Sequence, residues 1–146
     1  MSRTAVLLAL FAPLIGVAAQ PAGVVKIVKG EAAIERDGAR QLAVAGLAVH
    51  AGDRIVTGLD GRIGITLDDN TLLSAGPNAV LVLEKYAFDS TTHAGVLDAS
   101  LRRGTLAVST GKISKQSPEA VRLRTPNAIL GVRGTSFVID AGNGAP

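Results

Sequence analysis

Arg54-Ile55-Val56-Thr57-Gly58-Leu59-Asp60-Gly61-Arg62-Ile63-Gly64-Ile65-Thr66-Leu67 carries two β-type runs joined by a glycine turn. Ile63, Ile65 and Leu67 alternate with Arg62, Gly64 and Thr66, which is the period of two of a half-buried strand. Arg54 to Thr57 is a second β-rich run, and Asp60-Gly61 between the two reads as a hairpin turn, because glycine adopts positive φ at little cost. The same grammar extends outward. Val24 to Lys29, Glu31 to Arg36, Thr71 to Ala75, Ala79 to Leu83, Val96 to Leu101, Thr105 to Thr110, Val121 to Thr125 and Phe137 to Ile139 read as strands. Asp37-Gly38, Asp68-Asp69-Asn70 and Gly76-Pro77-Asn78 read as turns between them. Turns at such spacing predict a sandwich, barrel or solenoid. Three stretches compete as helix: Leu42 to His50, Ala79 to Phe88, and a single turn over Asn127 to Leu130 after Pro126. Val80 and Val82 favour strand in the second of these, and the chain is expected to be all-β with at most one short helical turn.

The 146 residues allow one domain with a tail. With no cysteine, disulfides, thiolate metal sites and thiol nucleophiles are excluded together. Two histidines, His50 and His93, leave little material for a metal site, and neither metal nor cofactor is expected. Aromatic residues make up 3% of the chain, so stacking platforms for bases or sugars are nearly absent. The core must come from Val, Ile, Leu and Ala.

Ala5 to Ala19 is apolar apart from Pro13 and Gly16, follows Arg3, and ends in the small residues Val17-Ala18-Ala19. This is the architecture of a secretory signal, here an N-terminal signal helix cleaved near Ala19. Its fifteen residues would reach about 22 Å as a helix, short of the roughly 30 Å hydrocarbon core. The protein is therefore expected to be periplasmic or secreted, with no transmembrane span after cleavage.

Charge is unevenly spread. Residues 20–98 hold seven basic and ten acidic side chains, whereas residues 99–146 hold seven and two. A basic face for an anionic partner is one reading; the preferred one pairs the C-terminal cations with N-terminal carboxylates in space. Nucleic acid is not an expected partner, since no aromatics interleave with the basic residues. Both histidines stand in turn-like contexts without a nucleophile elbow, so they read as surface residues rather than catalytic bases. Asp68-Asp69-Asn70 lacks the spaced ligands of a calcium loop. Gly131-Val132-Arg133-Gly134-Thr135 is not a phosphate loop. No catalytic residue is assigned.

The run Leu123-Arg124-Thr125-Pro126-Asn127-Ala128-Ile129-Leu130-Gly131-Val132-Arg133-Gly134-Thr135-Ser136-Phe137-Val138-Ile139 resembles the terminal signature of the FecR-like domain family. Upstream, Gly30-Glu31-Ala32 is similar to its opening strand and Ala51-Gly52-Asp53-Arg54-Ile55-Val56-Thr57-Gly58 to its central turn. Leu67 to Thr71 and Leu101-Arg102-Arg103-Gly104-Thr105-Leu106 are similar to two further family stretches, so the resemblance covers about residues 24 to 140. It implies a compact, twisted all-β domain, solenoid-like or sandwich-like, on the periplasmic side of a Gram-negative envelope. With the signal peptide over 1–19, the expected division is the FecR-like domain over 24–140, as the resemblance implies, and a flexible tail over 141–146. The motif residues Gly52, Asp53, Gly104, Thr125, Pro126, Arg133, Gly134, Thr135 and Phe137 read as structural. Gly134 is expected at positive φ, and Arg133, flanked by Val132 and Phe137, is expected to be partly buried and paired with Asp53 or Asp68.

The functional expectation is a non-catalytic envelope module that binds a protein or envelope partner through a sheet edge or exposed face. Two alternatives stand beside it: a regulatory component of a transport-linked, iron-type surface signalling system, and a cell-wall polymer-binding or hydrolytic domain.

Overall fold

A computed structural model of the chain describes residues 20–132 and 134–143. The expected signal segment, the Arg133 pairing and the last three residues of the expected tail lie outside the described residues. In chain order the first strands are β1 (Gly23–Lys29), β2 (Ala32–Arg36), β3 (Ala39–Leu42), β4 (Ala48–Val49), β5 (Arg54–Thr57), β6 (Arg62–Leu67) and β7 (Leu72–Ala75). There follow β8 (Val80–Phe88), β9 (Gly95–Arg103), β10 (Thr105–Ser109), helix α1 (Lys112–Gln116), a 3-10 turn over Pro118–Ala120, β11 (Val121–Thr125), β12 (Ala128–Gly131) and β13 (Ser136–Asp140). The all-β class is as the alternation predicts.

The strands form two sheets that do not close, one six-stranded in the order β13-β10-β7-β6-β1-β4 and one seven-stranded in the order β12-β11-β9-β8-β5-β2-β3. Hairpins join β2 to β3, β6 to β7, β8 to β9 and β11 to β12. At every other connection the chain changes sheet. The Asp60-Gly61 turn is one of these changes, not the hairpin its sequence suggests: β5 pairs with β2 and β8, while β6 pairs with β1 and β7. The turn is held from outside, where Gly58 N–H donates to Glu31 O (2.8 Å) and Gly58 O accepts from Asn78 N–H (2.9 Å). A turn dipeptide reverses the chain; tertiary hydrogen bonds decide which sheet receives it. Gly104, at the β9–β10 change, has φ 84°, and a Cβ there would stand 2.7 Å from Ala79 Cα, so both conformation and space require glycine.

None of the three helix candidates is helical. Val80 to Phe88 become β8, and Ala128 to Leu130 belong to β12. The helix lies instead over Lys112–Gln116, where sequence gives little sign of it. Its first turn is built on the β6–β7 turn: Lys112 N–H donates to Asp69 O (2.8 Å) and Ile113 N–H to Asp69 Oδ2 (3.2 Å).

Both sheets contribute to one core cluster. Across the six-stranded sheet the register aligns Val25, Ile65, Leu73, Val108 and Phe137, and beside them Val28, Ile63, Ala75, Leu106 and Ile139. All ten belong to the core or pack against it. The seven-stranded sheet supplies Ile34, Ile55, Leu81, Leu83, Leu97, Leu101 and Leu123, all essentially inaccessible. Aliphatic burial on this scale stabilises by about 25 cal/mol per Å² removed from water.

Candidate interaction surface

Three buried aspartates fix the framework on which any surface is displayed. Asp53, fully buried, accepts from Arg36 Nε (2.7 Å) on Oδ1 and from Arg36 Nη2 (2.6 Å) on Oδ2, and also from His50 N–H (2.8 Å). That side-on fork ties β2 to the β4–β5 turn, in which Gly52 stands at φ 90°. It also raises the Arg36 pKa above its ordinary value, through the hydrogen bond to Asp53. Both Asp53 oxygens are thus engaged by Arg36, and Asp68, the other partner considered for Arg133, is exposed. Asp98 on β9 accepts from Arg124 Nε and Nη2 on β11, both at 3.0 Å. Asp69 has no cation partner among the described residues. Its Oδ1 accepts from Tyr86 O–H (2.9 Å) and Thr71 N–H (3.3 Å), its Oδ2 from Thr71 O–H (2.8 Å) and Ile113 N–H (3.2 Å). Burial, and then the nearby Asp69 charge, push the Tyr86 phenol well above its ordinary pKa of 10.0.

Thr57, also buried, donates to Gly76 O (2.7 Å) and accepts from Ala79 N–H (2.8 Å), which locks the change of sheet between β7 and β8. Asp53 and Thr57, both in the central motif, therefore act as clamps on connections rather than as a reactive pair. His50 sits in the β4–β5 turn and exposed His93 in the turn before β9, where its ring stacks on Phe88 with centroids 6.0 Å apart. In that turn the backbone N–H groups of Thr91 and Thr92 hold the Asp89 carboxyl below its ordinary value.

The remaining motif residues fall in separate places. Thr125 and Pro126 line a groove of about 440 Å³ with four arginines. Gly134, at φ 106°, and Thr135 line a hollow beside Thr110 and Lys115, where Thr135 O accepts from Thr110 N–H (2.8 Å). Phe137 packs against the core from β13. They do not converge on one site. Among the described residues no group of three His, Asp or Glu side chains is placed to hold a metal ion.

What does stand out is a face. On the outer side of the six-stranded sheet the register aligns Ile27, Gly64, Ser74, Ala107 and Val138 across five strands. The adjacent row is Val24, Thr66, Leu72, Ser109 and Ser136. Neither row contains a charge. Val138 is 72% exposed, Ile27 59% and Leu72 48%, and β13 is an edge strand, with no second neighbour beyond β10 among the described residues. Small side chains between exposed aliphatics make a flat, water-facing patch of the kind that marks a contact surface.

Residues 53–145 match the family model described as FecR protein. The chain belongs to the FecR family. Neither a curated protein nor a solved structure matches it. FecR membership assigns the chain to a regulatory family rather than to a family of enzymes. The FecR match contains β6, β7, β10 and β13, four of the five strands that carry the uncharged rows. Among the described residues no helix is long and apolar enough to cross a membrane.

Sequence reading missed Arg36, Thr57, Asp69 and Tyr86. For Asp69 a signal was present: Ile63, Ile65, Leu67, Asp69 and Thr71 share one phase of the alternation, and all five are buried. The turn composition of residues 68–70 obscured it.

Proposed function

We propose that this protein is an exported, non-catalytic module of the cell envelope, acting in the periplasm by docking a regulatory protein partner on the outer face of its six-stranded sheet. The single observation that carries this reading is the pair of charge-free rows across five strands, ending at the edge strand β13. A sandwich-like layering of the two sheets accounts for one face of each being buried and the other left outside. FecR membership favours a signalling partner, such as a component of a transport-linked regulatory system, over a cell-wall polymer. The aromatic residues agree with that choice: Tyr86 is tied to Asp69 by its hydroxyl and Phe88 stacks on His93, so neither offers a ring to a sugar.

Site-specific photo-crosslinking tests the proposal. A photoreactive residue at Ala107, in the middle of the uncharged row, is expected to trap a discrete protein in envelope extracts, and one at Arg40 on the opposite sheet is not. Adducts from Arg40 alone, or no protein adduct from Ala107, would overturn it.

A further inference from the structure

The groove of about 440 Å³ on the seven-stranded sheet is lined by Arg54, Arg102, Arg103 and Arg124, with Ser100 and Thr125 adding hydroxyls. No acidic side chain lines it. Three of its guanidiniums are held by carboxylates placed outside the groove: Arg54 by Glu35 (3.4 Å), Arg102 by Glu84 (3.6 Å) and Arg124 by Asp98 (3.0 Å). Those contacts leave N–H groups over. Arg54 approaches Glu35 through Nε at 3.4 Å, long for a hydrogen bond, and Arg124 uses Nε and Nη2 toward Asp98, leaving Nη1. Arg103 has no carboxylate partner among the described residues, and its Nε is shielded from solvent without a hydrogen-bond acceptor. A shielded, unpaired guanidinium donor is costly, and an acceptor supplied from outside removes that cost.

The register fixes the shape. Arg54, Val82, Ser100 and Arg124 are cross-strand neighbours on β5, β8, β9 and β11. The two arginines therefore start about 14 Å apart, at roughly 4.8 Å per strand, above a floor that includes the small Ser100. Donors reach the groove from several strands rather than from one plane. A planar carboxylate saturates a single guanidinium fork, whereas a tetrahedral oxyanion presents oxygens in several directions and more charge.

We propose that this groove binds a phosphate group, with Arg103 as its central donor and Arg54 and Arg124 as flanking ones. The group can arrive on a soluble phosphate compound or on a phospholipid headgroup; the chemistry recognised is the same. The inference is independent of the partner-docking face on the other sheet.

The test uses the purified full chain at low ionic strength, with pyrophosphate as the soluble probe and succinate as the carboxylate control. Pyrophosphate is expected to bind at least tenfold more tightly than succinate, and the binding to weaken as salt is raised. Arg103→Gln and Arg54→Gln are each expected to weaken pyrophosphate binding at least tenfold, and Arg103→Lys, which keeps charge but loses the fork, to restore it only in part. Arg54 is exposed, so its variant reports on binding even if Arg103→Gln fails to fold. Co-sedimentation with phosphatidylglycerol vesicles but not phosphatidylcholine vesicles, lost on Arg54→Gln and reversed by pyrophosphate, would assign the headgroup as source. Pyrophosphate binding without that vesicle preference would assign a soluble ligand. The proposal falls if neither probe binds, if succinate binds as tightly as pyrophosphate, or if both glutamine variants bind like the unmodified chain.

Discussion

Across the outer side of the six-stranded sheet, the row Ile27, Gly64, Ser74, Ala107, Val138 passes over five strands without a charge. Across the seven-stranded sheet, the corresponding row reads Arg40, Glu35, Arg54, Val82, Ser100, Arg124, Ile129. Its charges are interlinked, with Glu35 between Arg40 (3.3 Å) and Arg54 (3.4 Å) and Asp98 holding Arg124. Behind both rows lies the same aliphatic core, so the difference does not come from folding requirements. Charged rows keep a sheet face solvated and discourage stacking of another sheet on it. The two uncharged rows, bordered on the same face by Lys29, Arg62 and Asp140, are suited to contact. The expectation that the C-terminal cations meet N-terminal carboxylates holds for Arg102 with Glu84 and Arg124 with Asp98, and of the four groove arginines it leaves Arg103 without a carboxylate among the described residues.

The largest expected effect comes from removing the support beneath the uncharged face. Asp69→Ala strands the Tyr86 and Thr71 hydroxyls and the Ile113 N–H, and is expected to lower stability by about 3 kcal/mol or more in urea denaturation. On the charged face, Asp98→Ala should cost only about 1–2 kcal/mol, because the Arg124 side chain is 42% exposed and regains water. Equal losses would remove the distinction between the two supports.

A charge introduced into the uncharged row sharpens the comparison from the other side. Ala107→Glu is expected to change stability by no more than about 0.5 kcal/mol, as an exposed substitution, while abolishing the partner adduct formed from the neighbouring Ser74 position. Retained crosslinking in a folded Ala107→Glu protein would show that the face is not the contact.

Tyr86→Phe should cost about 1 kcal/mol at neutral pH. The folded state favours the neutral phenol, so its contribution is complete below the ordinary value of 10.0 and declines as pH rises above that value. The unmodified protein is expected to lose stability above about pH 10 by an amount the phenylalanine variant does not. Smallest is Glu35→Gln, which interrupts the Arg40–Glu35–Arg54 chain of exposed pairs and should change stability by about 0.5 kcal/mol or less, an effect that shrinks as salt is raised.

Much of this molecule is legible one residue at a time. The alternation in Arg62 to Leu67 specifies a strand and which of its side chains enter the core, because the period of two is a property of the extended backbone itself. Asp53 and Gly104 were identifiable as motif positions, yet their work was not: Asp53 serves Arg36, seventeen residues earlier, and Gly104 clears Ala79, just ahead of β8. Helix α1 was invisible for the same reason, since its first turn depends on Asp69 more than on its own five residues.

By itself, then, the sequence determined the all-β class, the positions of most strands and turns, and the aliphatic composition of the core, all of which follow from local backbone geometry and side-chain polarity. The fold decides which turns are hairpins and which carry the chain between sheets, which aspartate is buried with a cation and which, among the described residues, without one, and that two rows on one outer face lack a charge while the other face gathers four arginines. Those are relations among residues tens of positions apart, and hydrogen bonds and cross-strand register settle them only once the chain has folded.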